Sequence, residues 1–262
     1  GLHEREPIRL GFFFRPLSAQ PKVSCLNSGY KGTLLQTTGL KAPFYNQPCE
    51  ELAKCLLGKI LVRQLSNGSV LRGMIVETES YLGGEDLASH SCGGRETPAN
   101  KPMFMSPGTA YVYFTYGMYH CFNISSKGEG AAVLLRAVQP IEGIEEMQRR
   151  RKQFMENMYK ITELCNGPSK LCISFDIDIA SCNKCDLVKS DSLWIEYGAD
   201  GTASEPIKIV EAPRIGIDSA GPIWANKLLR FYIFGSDFVS RRNKAYQACW
   251  WKEVGSVNRH EI

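Results

Sequence analysis

Hydrophobic positions in this chain fall mostly into short alternating runs, separated by polar breaks that carry Gly or Asn. Lys59 to Leu65 and Val70 to Leu82 flank Ser66-Asn67-Gly68-Ser69, and Asn-Gly between two such runs predicts a β-hairpin. Ala110 to Tyr116 and Tyr119 to Ser125 predict a second pair around Gly117-Met118. Ala131 to Val138 follows a Lys-Gly-Glu-Gly turn and extends the set into a meander of antiparallel strands. Leu193 to Tyr197, Ile207 to Ile217 and Leu228 to Phe234 add further strand-like runs. Helical spacing appears in two places. Leu52, Cys55 and Leu56 share one face of a segment that starts near Gln47 and stops at Gly58. After Pro140, Ile141 to Phe154 begins with acids and ends with Arg149-Arg150-Arg151-Lys152, so its charges complement the helix dipole at both ends. Strands dominate, no internal repeat is visible, and the expected class is α+β: a single mixed domain built on a curved antiparallel β-sheet, with surrounding helices and a protruding hairpin.

Residues 1–42 mix basic residues with Gly, Ser and Thr without periodicity, which predicts a flexible arm carrying Arg5, Arg9, Arg15, Lys22 and Lys31. The ordered domain is expected over 43–240, and 241–262 as a loosely held tail. With 262 residues of which 44% are hydrophobic, the chain can bury a full core, so disorder throughout is excluded. Lys and Arg number 31 against 27 Asp and Glu, an excess that permits a polyanionic partner without demanding one. No apolar run approaches a membrane span, because Leu10 to Phe14 is broken by Gly11 and followed by Arg15. Ten cysteines in so long a chain point to reduced thiols in a nuclear or cytosolic setting. The chain begins at Gly1 rather than Met, which leaves room for an upstream targeting segment.

Period-two alternation assigns Ile75, Glu77, Glu79 and Tyr81 to one face of their strand, and Met74, Val76, Thr78 and Ser80 to the other. Two carboxylates on a half-buried face suit general-base chemistry, whereas a solvated outer face is the commoner explanation for acids on a strand. His90 to Asn100 is a Gly-rich polar loop of the kind that carries function on a rigid scaffold. Tyr111, Tyr113, Tyr116 and Tyr119 gather on the second hairpin, with Tyr116 and Met118 at its tip. An aromatic there can wedge into a base stack, while Tyr111 and Tyr113 taken alone read as strand core. Four His at unhelpful spacing and a lone Cys182-Asn-Lys-Cys185 without a second knuckle give no metal site, so neither metal nor cofactor is expected.

Several motifs stand in order along the chain: Val76-Glu-Thr-Glu-Ser-Tyr81, His90, Arg95-Glu-Thr-Pro98, Met103-Phe-Met-x-Pro-Gly108, Tyr111-Val-Tyr113, Tyr116-Gly-Met-Tyr119, Asn123-Ile, Leu134-Leu-Arg136 and Gly167-Pro-Ser-Lys-Leu171. From about Phe44 to Ser236 the chain resembles the alkyladenine (3-methyladenine, methylpurine) DNA glycosylases. The resemblance implies a monomeric enzyme of base excision repair, in the nucleus with the mitochondrion as the alternative, that flips alkylated or deaminated purines out of double-stranded DNA and hydrolyses the N-glycosidic bond without a covalent intermediate. It implies Glu79 as general base, Arg136 as a holder of the attacking water, and a backbone carbonyl near Ile215 on that water. Tyr81, His90, Tyr113, Asn123 and Ala88 would bind the flipped base, and Tyr116 would intercalate. Arg95, Met118, Tyr119 and Lys170 would contact DNA. Cys92 and Ala99 depart from the pattern, since family members often carry Arg there.

Two alternatives come from other classes. A catalytically silent lesion-binding module would need the aromatic tip and the basic arm but not Glu79. A carbohydrate hydrolase would use Glu77 with Glu79, yet two acids on one strand face approach a sugar from the same side.

Overall fold

In the computed structural model, residues 39–152, 159–198 and 207–243 are described. Among these residues, eight strands form one sheet in which every strand pair is antiparallel, and short helices pack around it. The strands are β1 (Ile60–Gln64), β2 (Val70–Tyr81), β3 (Ala110–Thr115), β4 (Tyr119–Ser125), β5 (Ala132–Glu142), β6 (Leu193–Glu196), β7 (Ile209–Ala212) and β8 (Arg230–Ile233). The helices are α1 (Ala42–Tyr45), α2 (Cys49–Leu56), α3 (Ile144–Lys152), α4 (Pro168–Phe175), α5 (Ile179–Cys182) and α6 (Pro222–Ala225). This is the α+β single domain that the alternating runs predict.

The order β3-β4-β5-β2-β1-β6 shows where the simple meander fails. β3, β4 and β5 follow one another, but β5 then docks on β2 rather than continuing outward. β2 is long enough to change partners on its other edge. Val70 to Met74 pair with β1, and Glu77 to Glu79 pair with β8. The stretch that carries both glutamates is therefore ladder-bonded on both sides, which fixes its backbone.

Strict alternation along β2 also fails. Ile75 lies opposite Val138 and Glu77 opposite Ala137, so Val76 is an extra residue. On β5 the next pairings skip Arg136, since Glu77 faces Ala137 while Thr78 faces Leu135. Two bulges, one on each strand, thus offset each other and restore the register. Their effect is to reverse the expected faces. Ile75 enters the main core with Leu135 and Val138, on the side where Thr78 and Ser80 donate to the Ala53 and Cys49 carbonyls of α2. Val76 instead joins Ala137 and Tyr232 in a second cluster.

The main core lies between this face and helices α2 and α4, and includes Leu52, Leu56, Leu61, Phe122, Leu171 and Phe175. Gly73 is needed where α4 crosses, because a Cβ there would lie 2.9 Å from the Phe175 ring. Other boundaries shift for local reasons. In α2 the buried face is Leu52, Ala53 and Leu56, and Cys55 is only half-buried. β5 runs through Pro140, whose missing N–H falls beside an irregular register, so α3 starts at Ile144 rather than Ile141. The run from Ile207 to Ile217 is strand only to Ala212, beyond which Pro213 opens a loop. Helix α4 is not foreshadowed by a long amphipathic period; Pro168 at its first turn is its main signal.

Of the expected basic arm, residues 1–38 lie outside the described residues, as do 244–262 of the expected tail. Leu40 is fully buried, and Gly39 bridges Glu196. Arg241 accepts a hydrogen bond from Arg230 through its carbonyl, and the Asn243 N–H donates to the Tyr232 hydroxyl.

Candidate active site

Glu77 and Glu79 are both completely buried, which rules out the solvated outer face. Ionised carboxylates can occupy such positions only if donors replace water. For Glu79, Oε1 accepts the Ile215 N–H at 2.8 Å, and Oε2 accepts the Tyr81 hydroxyl at 3.0 Å with Arg136 Nη1 at 3.2 Å. For Glu77, Oε1 accepts Arg230 Nη1 at 2.8 Å and Oε2 accepts the Ser240 N–H at 2.7 Å, while Arg136 Nε stands 3.4 Å away. The bulge at Arg136 is what swings its guanidinium between the two acids. Burial opposes the Arg136 charge, but Glu79 and then Glu77 outweigh it and raise its pKa.

Against this buried cluster lies a cavity of about 530 Å³, lined by Tyr81, Ala88, His90, Tyr113, Asn123, Arg136 and Ile215 among others. Glu79 stands one layer behind the wall, bonded to three of its lining residues. The His90 ring meets Tyr113 edge-on at 4.6 Å, and its Nδ1 hydrogen-bonds the Tyr111 hydroxyl at 2.8 Å. Partial burial lowers the His90 pKa, which favours the neutral imidazole. Burial raises the Tyr81 and Tyr113 phenols, so both rings are neutral. The Asn123 side-chain nitrogen donates to the Tyr111 carbonyl, anchoring the amide against the wall. The site therefore offers aromatic faces, a few fixed polar groups and a buried anion, a combination typical of a pocket for a flat ligand.

At the cavity mouth Tyr116 is 89% exposed. Tyr116 and Gly117 both adopt positive φ, the turn sense that matches the twist of a hairpin, and Gly117 takes it without a Cβ penalty. Met118 is exposed beside it. Met118 and Tyr119 do not line the main cavity; they border a smaller cleft of about 170 Å³ with Arg150 and Asp176. Arg95 is exposed on the loop after a 3₁₀ turn, Cys92–Gly94, and Lys170 donates to Asn166 at 2.8 Å. Neither lines the cavity, although Pro168 and Ser169, next to Lys170, do.

Sequence reasoning overlooked a second buried ion pair. Arg214 donates to both Asp86 oxygens, at 2.5 and 2.8 Å, and to the Ser80 carbonyl at 3.0 Å, with both side chains fully buried. Asp86 also accepts the Leu82 and Ala88 N–H groups. The two residues are 128 positions apart, so no periodicity links them; the only local hint is an acid in the Gly83-Gly84-Glu85-Asp86 turn. Cys182 is buried, and the eight described cysteines are free. Among the described residues no three His, Cys, Asp or Glu side chains cluster as metal ligands, and no helix is long and apolar enough to cross a membrane.

Residues 43–237 match the family described as methylpurine-DNA glycosylase. The chain belongs to this family. Among its methylpurine-DNA glycosylase relatives, a Homo sapiens protein named DNA-3-methyladenine glycosylase is 50% identical over 229 residues, covering 86% of this chain and 74% of that protein. The Mus musculus protein of the same name is 52% identical over 201 residues, 75% of this chain, which spans only 60% of the mouse protein's length. A Clostridium perfringens protein named putative 3-methyladenine DNA glycosylase is 45% identical over 204 residues, 76% of this chain and 97% of the bacterial protein. The family match thus encloses the whole Glu79 cavity, from β2 to the Ile215 loop.

Proposed function

We propose that this chain is a monofunctional DNA glycosylase, releasing alkylated or deaminated purines of the 3-methyladenine, 7-methylguanine, hypoxanthine and ethenoadenine class from double-stranded DNA. The observation that carries this reading is the buried Glu79 carboxylate held by Ile215, Tyr81 and Arg136 behind an aromatic cavity. A flipped purine would lie among Tyr81, Tyr113 and His90, with Asn123 and Ala88 at its edge, while Tyr116 fills the space it leaves in the duplex.

In the chemical step a water molecule attacks the sugar C1′ and gives its proton to Glu79. The C1′–N bond breaks with its electron pair going to the purine. A carboxylate close to the sugar also stabilises the oxocarbenium-like transition state, so one acid serves both needs. Ile215 donates to Glu79 through its N–H, which fixes the carboxylate; its carbonyl would orient the water together with Arg136. A purine methylated at a ring nitrogen, such as 3-methyladenine or 7-methylguanine, leaves as a neutral base because it is already cationic. A neutral lesion, hypoxanthine or ethenoadenine, must gain a proton as it departs. Arg95, Met118, Tyr119 and Lys170 would contact the DNA backbone and bases around the mouth. Action on genomic DNA as a monomer in the nucleus belongs to the same proposal.

The test is base release from duplexes that each carry one of these lesions. The reading expects free base and an unbroken strand with an abasic site. Tight lesion binding with no release from any duplex would leave a lesion-binding module instead.

A further inference from the structure

Tyr81 is flanked on two sides by very different surroundings. One side of the residue belongs to the cavity wall. On its ring lies the Arg214 guanidinium, with Cζ 4.7 Å from the centroid, and Arg214 is fully buried and is not part of that wall. The cation therefore sits behind the ring. Asp86 holds it there through two hydrogen bonds, and the Ser80 carbonyl accepts a third. The arrangement also joins two loops. Asp86 accepts the N–H groups of Leu82 and Ala88 on one side of the cavity, while Arg214 directly precedes Ile215, whose N–H binds Glu79.

Resting on the glycosylase reading above, we infer that Arg214, clamped by Asp86, is a specificity-determining positioning residue that lowers the preference of the Tyr81 ring for cationic bases. The negative face of an aromatic ring attracts a cation, and a cation already on one face draws electron density away from the other. A purine that stacks on the cavity side of Tyr81 then meets a ring less favourable to positive charge than a free tyrosine. The consequence is a site tuned towards balance, in which neutral deaminated purines are not swamped by cationic alkylated ones. A guanidinium suits this place because its planar fork can grip a carboxylate with one edge while its face lies on a ring.

The test is a ratio: single-turnover base release from a 7-methylguanine duplex divided by that from a hypoxanthine duplex. Removing Arg214 alone would strand a buried Asp86, so the pair is neutralised together as Asp86→Asn with Arg214→Gln, and folding is checked by circular dichroism and Tm. The ratio should rise about three- to tenfold, even if both rates fall. In a Tyr81→Leu background the same double change should leave the ratio where Tyr81→Leu alone puts it, since no ring remains to be polarised. Arg214→Lys keeps a positive charge behind the ring and should hold the ratio within about twofold of wild type. Both rates falling together at a constant ratio would overturn the proposal and reduce the pair to a structural clasp. So would a shifted ratio in Arg214→Lys. Should the amide pair fail to fold, the apolar pair Asp86→Leu with Arg214→Met is read in its place, with the same expected rise and the same overturning result. Failure of the wild-type chain to release either base would instead count against the glycosylase reading itself.

Discussion

Glu77 and Glu79 lie two residues apart on one strand face, equally buried, and the structure gives them opposite surroundings. Glu77 is enclosed by protein: Arg230 from β8 and the Ser240 N–H donate to its two oxygens, and its one neighbour among the lining residues of the large cavity is Arg136, whose Nε stands 3.4 Å away without a hydrogen bond. Glu79 is enclosed by groups that themselves form a cavity wall. The first is a rivet between the sheet and the segment around Ser240; the second is a charge held ready beside open space. Burial and charge alone do not distinguish a catalytic carboxylate from a structural one. What distinguishes them is whether the donors that hold the charge also face a ligand.

The largest expected effect on folding separates the two. Glu77→Ala leaves the buried Arg230 without its carboxylate and should destabilise the fold by about 3–5 kcal/mol in urea unfolding. Base release per folded molecule should fall far less than for a change at Glu79. Next comes the exposed tip. Tyr116→Ser should weaken lesion-duplex binding by about 1–3 kcal/mol while unfolding stability stays within about 0.5 kcal/mol, because the ring has few protein neighbours to lose. Loss of stability instead would show that Tyr116 supports the hairpin.

The smallest effect is a pH dependence at His90. Its pKa is lowered in the folded chain, so the unfolded chain takes up that proton first as pH falls. The stability tied to this residue is complete above the ordinary histidine value of about 6.5 and declines as pH drops from there through the lowered folded value. Thermal melts of His90→Gln against wild type should therefore converge as the pH falls below about 6.5. A gap that stays constant with pH would contradict the assignment.

Much of this was legible in the alternating runs and the motif order: the two hairpins, the single domain, and several of the residues that line the cavity, among them Tyr81, His90, Tyr113 and Asn123. The misplaced details share a physical origin in tertiary pairing. A period of two placed Ile75 beside the acids because nothing local announces a bulge at Val76, whose cause is the pairing with β5. Pro140 read as a helix start because a proline inside a strand is tolerated only where the ladder is irregular, and that depends on its partner. Asp86 with Arg214, and Glu77 with Arg230, are contacts across more than a hundred residues. Each residue looks like an ordinary surface charge until the sheet closes.

The most direct test of the account is Glu79→Gln, assayed for binding and for single-turnover release on the same lesion duplex. The substitution keeps the size of the side chain and removes its ability to take a proton. The account predicts affinity close to wild type and release slowed by about 10²–10⁴-fold. Release at the wild-type rate would move the water-activating role away from Glu79 and contradict the account.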